Sequence, residues 1–463
     1  MIERGYRAGG GRSSVQNAVA MDVGDDGAPP TKVLIAMDCL CDYHGCYLAN
    51  RALDVPGVAV VHVLSDYLAT YLQATGAASA ADVDLRRSPS SEEEARLFRE
   101  AIGGPNVEVV AVYCESDSGL RDAEELRELL SVTCQDTPVI HEPRRDKSLM
   151  YTAVSEAGLY VAKSQLCESC EDATEFAKAM LQTKSHVVVK PFRGVASESV
   201  TLCKTEREVI DAWRKITSSQ IFGSSERHSN VLVQEFLDGV EYALDTVSRD
   251  GQHKVLAVWR YVKKPANGAS FCYYKTELVD SSLDGNVASI CDYAVKALDA
   301  LGVRWGICHN EFIFQENSGP ALVEVNTRQH NMDFLPLVMS CIGYNVFDIF
   351  LLALFFGEEQ WSAVPNIPSL RNFGCMVHLV NSASGILVNN HHIDDLADLP
   401  SVLEYEVYGP FRTKGETITP TIDIRTDAGW AQLINPDREE LERDYSLIEK
   451  WMETMFETSM PAQ

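Results

Sequence analysis

The chain has 463 residues, a formal net charge of −27 and 13 cysteines. That acidity excludes a nucleic-acid partner held through a basic surface and opposes attraction to anionic lipid. The length accommodates about two to four domains with ample core, and the cysteines, scattered without a disulfide framework or a legible signal peptide, read as reduced thiols in a cytoplasmic protein.

Residues 1–31 are rich in Gly, Ala, Asp, Ser and Pro without apolar periodicity and read as a disordered leader. From there strands and helices alternate. Lys32 to Met37, Val58 to Leu64 and Val107 to Tyr113 read as strands. Asp66 to Ala74, Glu92 to Ala101 and a stretch through Leu126 to Leu130 read as helices. Such alternation implies a parallel, doubly wound sheet, which binds ligands beyond the carboxyl ends of its strands. No G-x-G-x-x-G is present, so no dinucleotide site follows.

Asp146-Lys147 opens a helix closing near Gly158, and His186 to Lys190 is a Val-rich strand ending in Lys-Pro. The next segment, Phe192 to Val200, is rich in small residues. Such a loop lets backbone N–H groups approach a polyphosphate, although it lacks the G-K-[ST] ending of a P-loop; most such loops are simply solvated turns. Cys167-Glu-Ser-Cys170 is a lone C-x-x-C without a second pair, and reads as incidental.

Glu206 to Ile216 is an amphipathic helix and Val231 to Leu237 a strand. Tyr242 to Ser248 and Lys254 to Tyr261 are antiparallel strands around Asp250-Gly251. Lys263 to Ser270, with its Pro, Asn and Gly, reads as a mobile loop, and Asn286 to Leu301 as a helix. The apolar run Val346 to Phe356 is too short to span a bilayer and reads as a buried core helix. Strands resume at Asn372, with helices near Ile393 to Leu396 and over Arg438 to Phe456.

Between the helix at 286–301 and that core helix, two alternating apolar runs flank Glu316 to Gly319, the signature of a hairpin with a four-residue loop. Pairing Gln315 with Pro320 sets Glu311 opposite Glu324 and His309 opposite Asn326. Side chains alternate, so Glu324, Asn326 and Arg328 share a face, while Val323 and Val325 take the other. Opposed carboxylates repel unless a cation lies between them. Two carboxylates and an amide oxygen suit Mg²⁺, with Mn²⁺ the alternative. An acidic, solvated hairpin edge is the equally weighted reading at this point.

Four landmarks tip the balance. They are Asp146-Lys147; Val187-Val-Val-Lys190-Pro with its small-residue loop; Val231-Leu-Val-Gln-Glu-Phe-Leu-Asp-Gly-Val-Glu241; and Glu311 with Glu324-Val-Asn326-Thr-Arg328. Together, in order, over nearly all of residues 32–456, they resemble the ATP-grasp superfamily. Within it the resemblance is to carboxylate–amine ligases of the L-amino acid (dipeptide) ligase type. The resemblance implies an α/β (α+β) chain with a Rossmann-like domain over 32–140, a lid subdomain over 141–236 and a mixed-sheet domain over 237–463.

It also implies roles. Lys147 and Lys190 touch nucleotide phosphates, and Ser197 and Ser199 lie in the phosphate loop. Gln234 and the backbone at Glu235 and Leu237 read adenine, and Glu241 holds the ribose. Glu311, Glu324 and Asn326 carry Mg²⁺. Arg328, with Lys190, steadies the transferred phosphoryl group. The implied ligands are ATP, a small carboxylic acid and an amine, amino acids by family, and the implied assembly is a homodimer. Departures from the pattern are Ala196 and Ser199 where the loop usually has glycine, Glu198 between serines, and His330-Asn331 where the family often has a glycine pair. Other ATP-grasp chemistry, carboxylation or phosphorylation, and a non-catalytic nucleotide-binding module are the alternatives. Amine-dependent ADP release separates them.

Overall fold

Strand Thr31–Met37 (β1) is apolar at nearly every position because it is buried on both faces. It pairs in parallel with Val58–Leu64 (β2) and Val107–Cys114 (β4), and Arg86–Arg87 (β3) lies beyond β2. Val33, Ile35 and Met37 pack with Phe98 and Leu126 of helices Glu92–Ala101 and Leu120–Leu129. Leu34 and Ala36 face Phe347 and Phe350 of helix Val346–Phe355. This is the doubly covered parallel sheet that the alternating pattern implied.

This computed structural model describes residues 30–40, 45–75, 86–137, 142–193, 199–221, 227–330 and 334–459. The expected leader up to residue 29, the loop positions 194–198 with Ala196, Ser197 and Glu198, and Asn331 lie outside the described residues.

A second sheet contains Ser164–Cys167 (β5), Val187–Pro191 (β6), Thr201–Cys203 (β7) and Val231–Glu235 (β8), in the order β5-β8-β6-β7. Helices Cys170–Leu181 and Glu206–Thr217 cover one face. The second helix starts with a capping box, in which Thr205 and Glu208 satisfy each other's backbone N–H groups. The sequence pattern did not reveal β5 or helix Cys170–Leu181. Cys167 ends β5 and Cys170 begins the helix, and among the described residues every cysteine is a free thiol.

The remaining strands are Val240–Arg249 (β9), Gln252–Ala266 (β10), Ala269–Leu278 (β11), Gly306–Gln315 (β12), Gly319–Asn326 (β13), Phe373–His378 (β14), Gly385–Asn390 (β15), Val402–Val407 (β16), Thr417–Ile418 (β17), Gly429–Asn435 (β18) and Phe456–Ser459 (β19). Eight of them form one antiparallel sheet, ordered β13-β12-β9-β10-β11-β14-β18-β16. Helix Arg438–Met452 is shorter than expected, because the chain turns back into β19 at Phe456.

Lys263 to Ser270 is not a loop. Lys263 to Ala266 continue β10, and β11 begins at Ala269. The reversal needs only Asn267 and Gly268, both left-handed at φ 50° and 84°. An Asn-Gly pair is the preferred two-residue hairpin turn, and that signal outweighs the single proline.

The β12–β13 hairpin also differs in register. Gln315 pairs with Gly319 and Phe314 with Pro320, one step from the expected pairing, so three residues, 316–318, form the loop. A bulge between Glu311 and Phe312 restores the shift, so Glu311 lies opposite Glu324 and His309 opposite Asn326 as expected. The bulge also moves Val323 off the core face: Leu322 and Val325 enter the core, whereas Val323 lines a cavity beside Glu324.

No single helix among the described residues is long and apolar enough to cross a membrane. Helices Leu335–Cys341 and Val346–Phe355 have the length only together, and they are bent by 81°.

Candidate active site

A cavity lies between the β5–β8 sheet and the face of the eight-stranded sheet that carries Glu311. Ten of the twelve expected site residues line it: Lys147, Lys190, Gln234, Glu235, Leu237, Glu241, Glu311, Glu324, Asn326 and Arg328. Ser199 is described with a left-handed backbone (φ 57°) but does not line the cavity. Ser197 lies outside the described residues.

Each lysine is placed by local structure. Asp146 caps helix Lys147–Glu156 by accepting from the backbone N–H groups of Ser148 (2.9 Å) and Leu149 (3.2 Å). This sets Lys147 in the first turn, where the helix dipole disfavours a buried cation. Glu324 Oε1, 3.1 Å from Lys147 Nζ, supplies the compensating charge. Lys190 shares a β6 face with Val188, which pairs with Gln234. Its Nζ donates to the Tyr151 hydroxyl (2.8 Å). Burial pushes the Lys190 ammonium down to about 8, against the pull of Glu324, Glu311 and Glu241.

At the hinge, Gln234 Nε2 is buried beside the Tyr151 hydroxyl without reaching hydrogen-bond geometry. The Glu235 carboxylate accepts from Tyr160 (2.8 Å) and lies 3.6 Å from Lys184 Nζ. Its backbone N–H already donates to the Lys163 carbonyl (2.8 Å), so that donor is spent within the fold. Glu241 receives a hydrogen bond from Lys263 (2.6 Å), a lysine whose role the sequence did not suggest. Burial opposes the Lys263 charge, yet Glu241 beside it lifts its pKa above the ordinary lysine value.

The β12–β13 hairpin is backed by a buried network. His309 Nε2 lies 3.2 Å from Glu311 Oε1 and its Nδ1 lies 3.1 Å from Asp245 Oδ1. Burial works against the imidazolium, but these two carboxylates raise His309 to about 9. Burial likewise opposes the Glu311 charge, and His309 brings its carboxyl down to about 2. His330 is packed into this network. It is stacked on His309 with ring centroids 3.9 Å apart and packs against Phe334 at 4.5 Å. Burial and the positive His309 lower it to about 4. Tyr261 Oη lies 3.0 Å from His330 Nε2, and Trp259 Nε1 donates to Asp245 (2.6 Å).

Asp245, His309 and His330 offer ligand atoms within 4.8 Å of one another. The two imidazoles are stacked at 24°, so their in-plane lone pairs run side by side and do not converge on one ion. The cluster is a support for Glu311. The hairpin donor set does fit a hard cation: Glu311 and Glu324 are opposed, and Asn326 adds an amide oxygen on the same cavity wall.

Arg328 is buried. Its Nε donates to Asp117, in the turn after β4, and its Nη1 donates to the Gln329 carbonyl at 2.7 Å. The carboxyl end of the first sheet thus holds this arginine at the cavity. Nothing in the sequence around Asp117 marked it, because the contact joins residues 211 apart. Tyr151, Tyr261 and Lys263 were also missed. For Lys263 the signal was the alternation of β10 continued beyond Tyr261, obscured by reading 263–270 as a loop.

Residues 183–332 match the ATP-grasp domain family. Dapdiamide A synthase of Enterobacter agglomerans is 25% identical over 240 residues, 51% of this chain and 54% of that protein, so the chain spans about half the length of this curated relative. The crystal structure of an L-amino acid ligase from Bacillus licheniformis superposes with a TM-score of 0.67 at 18% identity, over 91% of this chain and 98% of the other. A carboxyaminoimidazole ribonucleotide synthase from Aspergillus clavatus complexed with ATP gives 0.61 at 14% identity, over 92% and 99%. At these identities the structural likeness is one of fold. Residues 183–332 thus carry the match to the ATP-grasp domain family, and the chain around them shares the fold of these solved structures.

Proposed function

We propose that the protein is an ATP-dependent carboxylate–amine ligase that forms an amide or peptide bond through an acylphosphate and releases ADP and phosphate. The observation that carries this reading is the convergence of Lys147, Lys190 and Arg328 with the opposed Glu311 and Glu324 on one cavity. The match of 183–332 to the ATP-grasp domain and the relationship to dapdiamide A synthase support it.

A carboxylate is a poor electrophile at neutral pH, and phosphorylation gives it a good leaving group. In this reading Gln234 and the hinge to Leu237 hold the base, Glu241 the ribose, and Lys147 and Lys190 the phosphates. Glu311, Glu324 and Asn326 hold Mg²⁺, which when bound neutralises charge on the phosphate oxygens. Arg328 stabilises the phosphoryl group in transit and the acylphosphate that follows. The sheet of residues 164–235 covers the cavity, and excluding water there protects the acylphosphate until an amine attacks.

The experiment is ADP release from Mg²⁺-ATP with a matrix of amino acids, singly and in pairs, with products identified by mass. Release that requires a pair, with a product mass equal to the sum less water, supports ligation. Release that requires bicarbonate, or that yields a stable phosphorylated product, overturns it.

A further inference from the structure

The cavity extends beyond the metal hairpin. It runs along the sheet from Glu311 on β12, past Tyr261 on β10, to Thr276 on β11 and His378 on β14. Three strand spacings separate β12 from β11, about 14 Å. Tyr261 and Tyr273 line the way, their ring centroids 5.1 Å apart at 76°. At the far end His378 Nε2 lies 3.2 Å from Thr276 Oγ1 and its Nδ1 lies 3.4 Å from Asp427 Oδ2. Thr276, His378 and Asp427 are 2%, 1% and 1% exposed. A buried carboxylate–imidazole–hydroxyl chain opening on an aromatic-walled cavity is costly as mere filling, and phosphoryl transfer at Glu311 makes no use of it.

We propose that this end is a recognition subsite for a primary ammonium group on an elongated substrate whose reacting carboxylate lies at the metal hairpin. The proposal rests on the ligase reading and adds a substrate class to it. With Nδ1–H donated to Asp427, His378 Nε2 accepts the Thr276 hydroxyl proton, and Thr276 Oγ1 turns its lone pairs to the cavity. The site then accepts hydrogen bonds and carries the negative charge of Asp427. The faces of Tyr261 and Tyr273 are taken by the Lys263 ammonium, 5.1 and 4.3 Å from the two ring centroids and paired with Glu241. The preference for a cation therefore comes from Thr276 and Asp427, where a distal carboxylate meets lone pairs and like charge. Subtracting a hydrogen bond of about 3 Å at each end leaves about 8 Å between the two groups. That is roughly two extended residues, or one amino acid with a long unbranched side chain.

Two sources present this chemistry, a lysine-type side chain and a dipeptide amino terminus. The test is calorimetric binding to the full chain loaded with Mg²⁺ and a non-hydrolysable ATP analogue. Lysine is compared with norleucine, and glycylglycine with propionylglycine. The expected result is at least about tenfold tighter binding of the ammonium member in one pair, and that pair identifies the source. Thr276→Val, which keeps the shape and removes the hydroxyl, should bring the ratio to within about twofold with nucleotide affinity unchanged. His378→Gln, as a second variant, should do the same. Equal binding within both pairs, no binding of either ammonium probe, or a ratio that survives Thr276→Val overturns the proposal. The ligase reading fails separately, by absence of amine-dependent ADP release while the discrimination is intact.

Discussion

Lys190 Nζ donates to the Tyr151 hydroxyl at 2.8 Å, and that hydroxyl donates onward to the Val323 carbonyl at 2.7 Å. Val323 is the extra residue of the β13 bulge, so its carbonyl needs a partner outside the regular ladder. Tyr151 therefore connects the strand that brings Lys190 to the cavity with the bulge that turns Glu324 towards Glu311. Tyr151→Phe removes both bonds and takes this partner from the half-buried Val323 carbonyl. The expected cost is about 1–3 kcal/mol in denaturant unfolding, with a raised KM for ATP. Unchanged stability and KM would mean that the relay is incidental.

Lys190 also sets a pH dependence. Burial lowers its pKa to about 8 from the usual 10.5. Between these values the unfolded chain holds more proton than the folded one, so this residue's contribution makes stability rise as pH rises through that window. Nucleotide affinity moves the other way. The free protein loses the Lys190 charge as pH rises through about 8, and ATP binding weakens. Lys190→Arg keeps its charge and should flatten this limb in titrations between pH 7 and 10, roughly the range over which a buried lysine titrates. A limb that persists in the arginine variant assigns it to another group.

Glu324 has two partners in prospect, Mg²⁺ and Lys147, the latter 3.1 Å away. In Glu324→Gln the fold should persist, because the opposed carboxylates of the metal-free protein repel one another. Mg²⁺-dependent turnover should fall at least about a hundredfold, since one anionic metal ligand is lost. The rise in Tm that Mg²⁺-ATP gives the wild type should shrink with it. A variant with full activity would remove the hairpin from the metal assignment.

Asp117 acts through Arg328. Asp117→Asn keeps a hydrogen-bond acceptor but removes the charge that opposes the buried guanidinium. The expected effect is a fall in kcat of about tenfold to a hundredfold with a smaller change in KM for ATP, read by steady-state kinetics. An effect confined to KM would mean that the arginine serves ground-state binding.

Gly239 precedes β9 where the chain passes over Phe314. A Cβ there would meet the Phe314 carbonyl oxygen at 2.3 Å and Ile313 Cγ2 at 2.9 Å. A backbone carbonyl cannot swing aside, so Gly239→Ala should cost about 1–3 kcal/mol and displace Glu241, raising the KM for ATP. Wild-type stability in a thermal melt would show that the β8–β9 connection yields more easily than this contact implies.

Much of the site could be read from local pattern. Period-two alternation assigned Glu311, Glu324 and Asn326 to one cavity wall, and the Val-rich run of β6 set Lys190 at a strand end. The register illustrates the limit of such reading. The hairpin loop is one residue shorter than expected and the bulge adds one back, so Glu311 faces Glu324 through two offsetting departures. Bulges depend on what a strand packs against, here the Tyr151 hydroxyl, and that contact is invisible to spacing. The β10–β11 turn was missed for a different reason, the precedence given to Pro265 over Asn267-Gly268.

The sequence by itself determined most of the strands and helices, the parallel sheet at the start of the chain, and the carboxylates and cations carried by the β12–β13 hairpin and by β6. These follow from backbone periodicity and short-range chemistry, which act over a few residues. Only the tertiary structure decided how Asp117 reaches Arg328, how Asp245 and His330 hold His309 against Glu311, and how Thr276 meets His378 and Asp427 at the cavity's far end. These contacts join distant segments. Their strengths come from burial and mutual charge, which exist only once the strands are side by side and water has left the space between them.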